Sequence, residues 1–419
     1  MRISTSEFLL GSLADMMNQE SNVNALNQQI ASGQTMQSAL DNPAGAGAAL
    51  SLQGQINHLS VDSANAQSGV QSIENSLGSL QSVSTILAQI KTTAIQAANG
   101  TISDDDRHAL AATVQSALQQ LVQVGNTQSS DGQYLFGGSR TASAPFAIQP
   151  SGQVVFTGDG GASSLEIAPS LAVPVTLSGQ GIFMNIPGGN GSFSVAASGS
   201  NTGHAYAVAG GVTSASQLQA EQLAGTQFVV TFGAASPNGS MAYSVTSGTG
   251  SPGAAGFTAS SGIVASGSFA PGAGLTIGGM DVGINGTPAA GDSFVVAPSQ
   301  NVSVFQILQS LQTTLAMPGG ATSAISQQQI QNVLAELESA QTSVLGAQAT
   351  LGGNLSNIQS VQAQDTATST QAQAQLSGLQ SANLPQVLTN YNEGIVSLQA
   401  SEQAFARIQN LSLFSVIGP

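Results

Sequence analysis

The feature that most constrains this chain is one long apolar series near its start. Leu52, Ile56, Leu59, Ser63, Ala66, Val70, Ile73, Leu77, Leu80, Ser84 and Leu87 alternate steps of four and three, and only the two serines are polar. That 3.5-residue period is the seam of a coiled coil. It predicts a helix over 44–98, roughly 80 Å long at 1.5 Å per residue. A stripe so narrow cannot close a core alone and must lie against another helix. A stretch of matching length, 326–380, lies far along the chain, with Ile330, Leu334, Leu337, Val344, Leu351, Leu355, Ile358, Leu376 and Leu379 on heptad positions. The two are expected to pack antiparallel.

Two further stripes flank this pair, one at each end of the chain. Leu9, Met16, Val23 and Ile30 are seven apart, with Leu13 and Leu26 thickening the line. They predict a helix over 5–40, ended by Gly33 and then Asp41-Asn42-Pro43, because the residue before a proline avoids the helical region. At the other end Leu388, Tyr391, Ile395, Leu398, Phe405 and Ile408 recur at steps of three, four and seven, Leu411 follows, and Pro385 suits a first helical turn. These thirteen terminal residues are the candidate assembly interface. A shorter helix over about 103–128 is announced by Ser103 as its cap, with Asp104, Asp105 and Asp106 in the first turn.

The middle has another texture. Residues 141–301 hold 29 of the 49 glycines and no Lys or Arg. Val154-Val155-Phe156, Gln227-Phe228-Val229-Val230 and Ser293-Phe294-Val295-Val296 read as strands, and Asn-Gly pairs at 190, 238 and 285 as tight turns. The fold expected is α+β and multidomain: an antiparallel bundle of long helices from both chain ends around a central all-β insertion. Residues 1–43 with 381–419 form a terminal coiled-coil domain. Residues 44–145 with 302–380 form a helical rod, and 146–301 form an outer variable domain, in one or two lobes.

Charge excludes several partners. Charged residues make up 6% of the chain, and five basic against twenty acidic residues leave a net charge of −15. The basic residues Arg2, Lys91, Arg107, Arg140 and Arg407 do not cluster, which argues against nucleic acid and anionic membranes. No stretch has the length and apolarity of a membrane span. Glu7 interrupts the only apolar run near the start, so no cleavable signal is expected. There is no cysteine, hence no disulfide framework.

Nothing points to catalysis, a cofactor or a metal. His58, His108 and His204 are isolated, and the three aspartates 104–106 read as helix capping. Gly248 to Gly253 matches GxGxxG as a string, but no strand–helix context accompanies it. No GxSxG elbow occurs.

Five segments in order resemble the flagellin superfamily. They are Met1-Arg2-Ile3-Ser4-Thr5; Ala31-Ser32-Gly33 through Leu40-Asp41-Asn42-Pro43-Ala44; Ala97-Ala98-Asn99-Gly100 through Arg107; Tyr134-Leu135-Phe136-Gly137-Gly138 with Pro145-Phe146; and Gly291-Asp292-Ser293-Phe294 through Val304-Phe305. The tail from Leu384 to Ile417 resembles the family's final helix. The likeness covers about 1–146 and 290–419. One departure is Gln34-Thr35, where the family usually has basic residues after the serine-glycine pair.

The resemblance implies a structural adaptor at the bacterial hook–filament junction. It implies a ring of about a dozen copies between hook-associated protein 1 and flagellin, outside the cell. It also implies a cytoplasmic export chaperone and passage through the type III export apparatus. A flagellin filament subunit is the alternative within the superfamily. A secreted β-rich adhesin or glycan-binding protein on helical legs is the alternative from another class.

Overall fold

A computed structural model describes residues 5–36, 38, 40, 42–237, 239–249, 258–270, 272–318 and 323–417; side chains at 5, 6, 8, 9, 258–261 and 408–417 fall outside the description. The elements are α1 (Thr5–Ser32), α2 (Pro43–Ala97), α3 (Asp104–Gly125), an insert of strands, then α5 (Val304–Leu315), α6 (Ala324–Gln380) and α7 (Leu384–Ile417), with α4 (Ala215–Ala224) inside the insert. The chain divides into two compact units, Met1–Ala64 with Ser360–Pro419, and Asn65–Gln359. Both α2 and α6 contribute residues to each unit.

In the unit 65–359, α2 and α6 run antiparallel. Gly69 lies against Ile358, Lys91 pairs with Glu338 at 2.7 Å, and the Gln327 amide donates to the Ala98 carbonyl at 3.0 Å. The seam residues Ala66, Val70, Ile73, Leu80 and Leu87 are buried and Leu77 and Ser84 are half-buried, as their spacing requires. Helix α3 packs on α5, each capped by a serine: the Ser103 hydroxyl accepts from Asp106 N–H, and Ser303 with Gln306 forms a reciprocal capping box. Phe305 of α5 meets Phe146 and Phe183, with Phe136 and Phe156 completing an aromatic cluster at the base of the insert. Gly125 admits this cluster, since a Cβ there would stand 2.7 Å from the Phe146 ring.

The insert begins with two hairpins, β1 (Phe146–Ile148) with β2 (Val154–Phe156), and β3 (Ser164–Ala168) with β4 (Leu171–Pro174). A π-helical turn at Gln180–Met184 leads to β5 (Ile186–Pro187), which pairs with β14 (Asn301–Val302). Next come β6 (Phe193–Ala197), β7 (Tyr206–Val212), β8 (Thr226–Ala235), β9 (Met241–Thr249), β10 (Thr258–Phe269), β11 (Gly274–Ile277), β12 (Met280–Asn285) and β13 (Ser293–Pro298). They form a five-stranded sheet, β10-β9-β8-β13-β6, and a three-stranded sheet, β11-β12-β7, all antiparallel neighbours. Phe193, Phe228, Phe232, Phe294, Met280 and Val282 from both sheets share one core. Helix α4 packs Leu218 against that core, so the insert is β with one added helix. Gln328 of α6 is buried against the sheets: its side chain accepts from Ala207 N–H at 2.6 Å and donates to the Val195 carbonyl at 3.2 Å.

One expected boundary changes. Helix α1 stops at Ser32 and does not run to 40, because Gly33 takes φ +69 and the next residues pair with the far end of the chain. Most of the GxGxxG string, residues 250–253, lies outside the described residues, and Gly248 and Thr249 end strand β9.

Candidate assembly interface

The unit formed by 1–64 and 360–419 is built almost wholly of helix, yet it has little interior. Among its described residues the buried apolar side chains are Ala49, Ala372 and Val387, two of them alanines. Helices α1 and α7 pair antiparallel: Gln19 donates to the Ser397 hydroxyl and accepts from Ser401 at 3.5 Å, while Val23 lies against Gly394. Residue i of α1 thus faces roughly residue 417 − i of α7, from the Val23–Gly394 contact.

The elbows between α1 and α2 and between α6 and α7 are stitched together. Gln34 bridges to Ser381, Thr35 N–H donates to the Gln380 carbonyl at 2.8 Å, and Ala382 N–H donates to the Gly33 carbonyl at 2.8 Å. The Thr35 hydroxyl adds a bond to the Leu379 carbonyl at 3.1 Å. The uncharged Gln34-Thr35 pair therefore ties one chain end to the other.

The predicted residues separate into two groups. Met16, Val23, Leu26 and Ile30 of α1, and Tyr391, Ile395, Leu398 and Phe405 of α7, are half-buried. Leu13 and Leu388 are exposed, at 43% and 45%. The side chains of Leu9, Ile408 and Leu411 lie outside the described residues. Sequence reasoning passed over Leu10, Met17 and Val396, which are 67%, 63% and 66% exposed. Leu10, Leu13 and Met17 have their own steps of three and four, a signal masked by the seven-residue series beside them.

Inside the same unit Asp365 of α6 is buried, and its Oδ2 has no hydrogen-bond partner. Burial raises its pKa above the ordinary carboxyl value, and the charge of Asp62 on α2 raises it further.

The terminal unit thus combines half-buried seams, exposed apolar side chains and a small interior. A sequence profile of the bacterial flagellin N-terminal helical region matches residues 3–141. The chain is 30% identical over 191 residues to flagellar hook-associated protein 3 of Escherichia coli, covering 44% of this chain and 58% of that protein. It is 32% identical over 149 residues to flagellar hook-associated protein 3 of Salmonella typhimurium, covering 35% and 46%. The crystal structure of flagellar hook-associated protein-3 from Legionella pneumophila superposes with a TM-score of 0.68 at 28% identity, covering 78% of this chain and 98% of that one.

The chain resembles the flagellin superfamily in sequence over part of its length and in fold over most of it. It spans about half the length of the curated relatives it matches. The described residues hold no group of three or more His, Cys, Asp or Glu placed to bind a metal. No described helix is long and apolar enough to cross a membrane.

Proposed function

We propose that this protein is a structural adaptor at the bacterial flagellar hook–filament junction. Copies stand in a ring of about a dozen between hook-associated protein 1 and flagellin, on the outside of the cell. The observation that carries the reading is the contrast between the units. The unit 65–359 has a packed core, whereas the terminal unit buries mainly Ala49, Ala372 and Val387 while Leu10, Met17 and Val396 stand open. A domain with so little interior gains its burial from other copies. The likeness to proteins named flagellar hook-associated protein 3 supports the location.

On this reading residues 1–43 with 381–419 line the inner tube, 44–145 with 302–380 form the rod, and 146–301 face outward. The protein acts without catalysis. It leaves the cytoplasm through the type III export apparatus, held soluble by a chaperone. The test is a truncation lacking residues 384–419. Cells making only that form should shed flagellin into the medium, and normal filaments on those cells would overturn the reading. Copy number per flagellum, about a dozen against thousands, separates an adaptor from a filament subunit.

A further inference from the structure

Strand β10 forms one edge of the five-stranded sheet, and its sequence does not guard that edge. Its 12 residues, Thr258–Phe269, include no charged residue and no proline. A free row of N–H and C=O groups is a template for another strand, so edges are usually guarded by lysine, proline, a bulge or cover. The opposite edge has cover: the Gln328 amide of α6 donates to the Val195 carbonyl of β6. On β10, residues 262–268 are all exposed, which opens both faces of the strand, with Ile263 at 65% and Val264 at 50%. The register shifts in its pairing with β9 lie between Ala259 and Ala265, and Ala265 to Phe269 pair without a break. Bulging therefore leaves the second half of the edge regular.

Beside this edge the two sheets part. The three-stranded sheet is narrower than the five-stranded one, and a cleft of about 380 Å³ opens where β11 meets β8, β9 and β10. Phe228, Val245, Val264 and Ile277 give it an apolar lining, and Thr226 a polar one. Glu221 of α4 is the charged residue on its wall among the described residues. A strand added to a sheet sends alternate side chains to each face. A long side chain on the core-facing side can lay an apolar stem in the cleft and bring a cationic head to Glu221, which is the build of Lys and Arg.

We propose that β10 takes an added strand from another protein, an extended segment in which Lys or Arg alternates with apolar residues. Main-chain hydrogen bonds to β10 hold the segment, and the cleft selects its side chain. Charge decides the occupant. The charged residues between 141 and 301 are Asp159, Glu166, Glu221, Asp281 and Asp292, with no Lys or Arg. Two inserts of this chain repel each other, whereas a basic segment is attracted.

The test uses the full-length chain and a short labelled peptide of alternating Lys and Val, with binding read by fluorescence anisotropy. The peptide should bind, and on binding the amides from Ala265 to Phe269 should exchange more slowly while those of β6 do not change. A Glu–Val repeat, and a Lys–Val repeat N-methylated at alternate residues, should not bind. Glu221→Gln should weaken binding about threefold, as expected for an exposed ion pair. Val264→Lys, which sets a guarding charge on the edge, should weaken it about tenfold or more while leaving the thermal melt unchanged. Equal binding of either control peptide, unchanged binding to Val264→Lys, or no binding of the Lys–Val repeat would overturn the inference. So would self-association of the chain that Val264→Lys abolishes, because the occupant would then be a second copy. The adaptor reading stands apart from all of these outcomes.

Discussion

The Arg107 guanidinium donates to the Thr314 carbonyl at 2.6 Å, deep between α3 and the C-terminal turn of α5. A cation at that helix end faces the negative pole of its dipole. Yet Nε and Nη1 are buried without partners, and burial lowers the Arg107 pKa, with Asp104 opposing. The side chain therefore contributes through its bulk and one strong bond. Arg107→Ala, which leaves a cavity and uncaps α5, should cost about 3 kcal/mol in denaturant unfolding. Arg107→Met, which keeps the volume, should cost clearly less. Equal losses in the two variants would show that the charge dominates.

Gln328 satisfies Ala207 N–H and the Val195 carbonyl from the buried face of α6. Gln328→Leu fills similar space but orphans both backbone groups, and should cost about 2–4 kcal/mol of stability. Melting of the β-rich part, followed by near-ultraviolet signals from Tyr206 and Tyr243, should shift down accordingly.

Burial pushes the Glu336 carboxyl up to about 7, although the Gly189 N–H donates to it and opposes the shift. A carboxyl whose folded pKa lies above its unfolded value contributes fully below the unfolded value, 4.5, and loses that contribution as pH rises to about 7. Relative to Glu336→Gln, the wild-type chain should lose up to about 3 kcal/mol between pH 4.5 and 8. Parallel stability curves for the two proteins across that range would refute this.

Asp365 follows the same sign in the terminal unit, since burial and then Asp62 both raise its pKa. Asp365→Asn should stabilise the terminal helices at neutral pH and make no difference in acid, where the native carboxyl is already protonated. Helicity measured by circular dichroism against temperature, at both pH values, decides this.

Amide exchange should divide a dilute single chain. Amides from Ile73 to Ala94 of α2, in the buried part of the seam, should exchange slowly, while those of α1 and α7 exchange quickly. Protection of both terminal helices in the dilute chain would remove the reason for assembly given above.

The sequence by itself determined the long helices and their order. Apolar spacing at 3.5 residues marked α2, α6 and α7, and Ser103 stands where the α3 cap is needed, because both signals are local along the chain. The tertiary structure decided what locality cannot encode. It ended α1 at Gly33 so that Gln34 and Thr35 could bind Ser381 and Gln380. It placed Gln328 between two sheets, and it turned Leu13 and Leu388 outward while turning Val387 in. A seven-residue repeat fixes that a helix has an apolar stripe. Which part of the stripe meets a partner within the chain, and which stays exposed, depends on helices brought together from residues more than 370 positions apart.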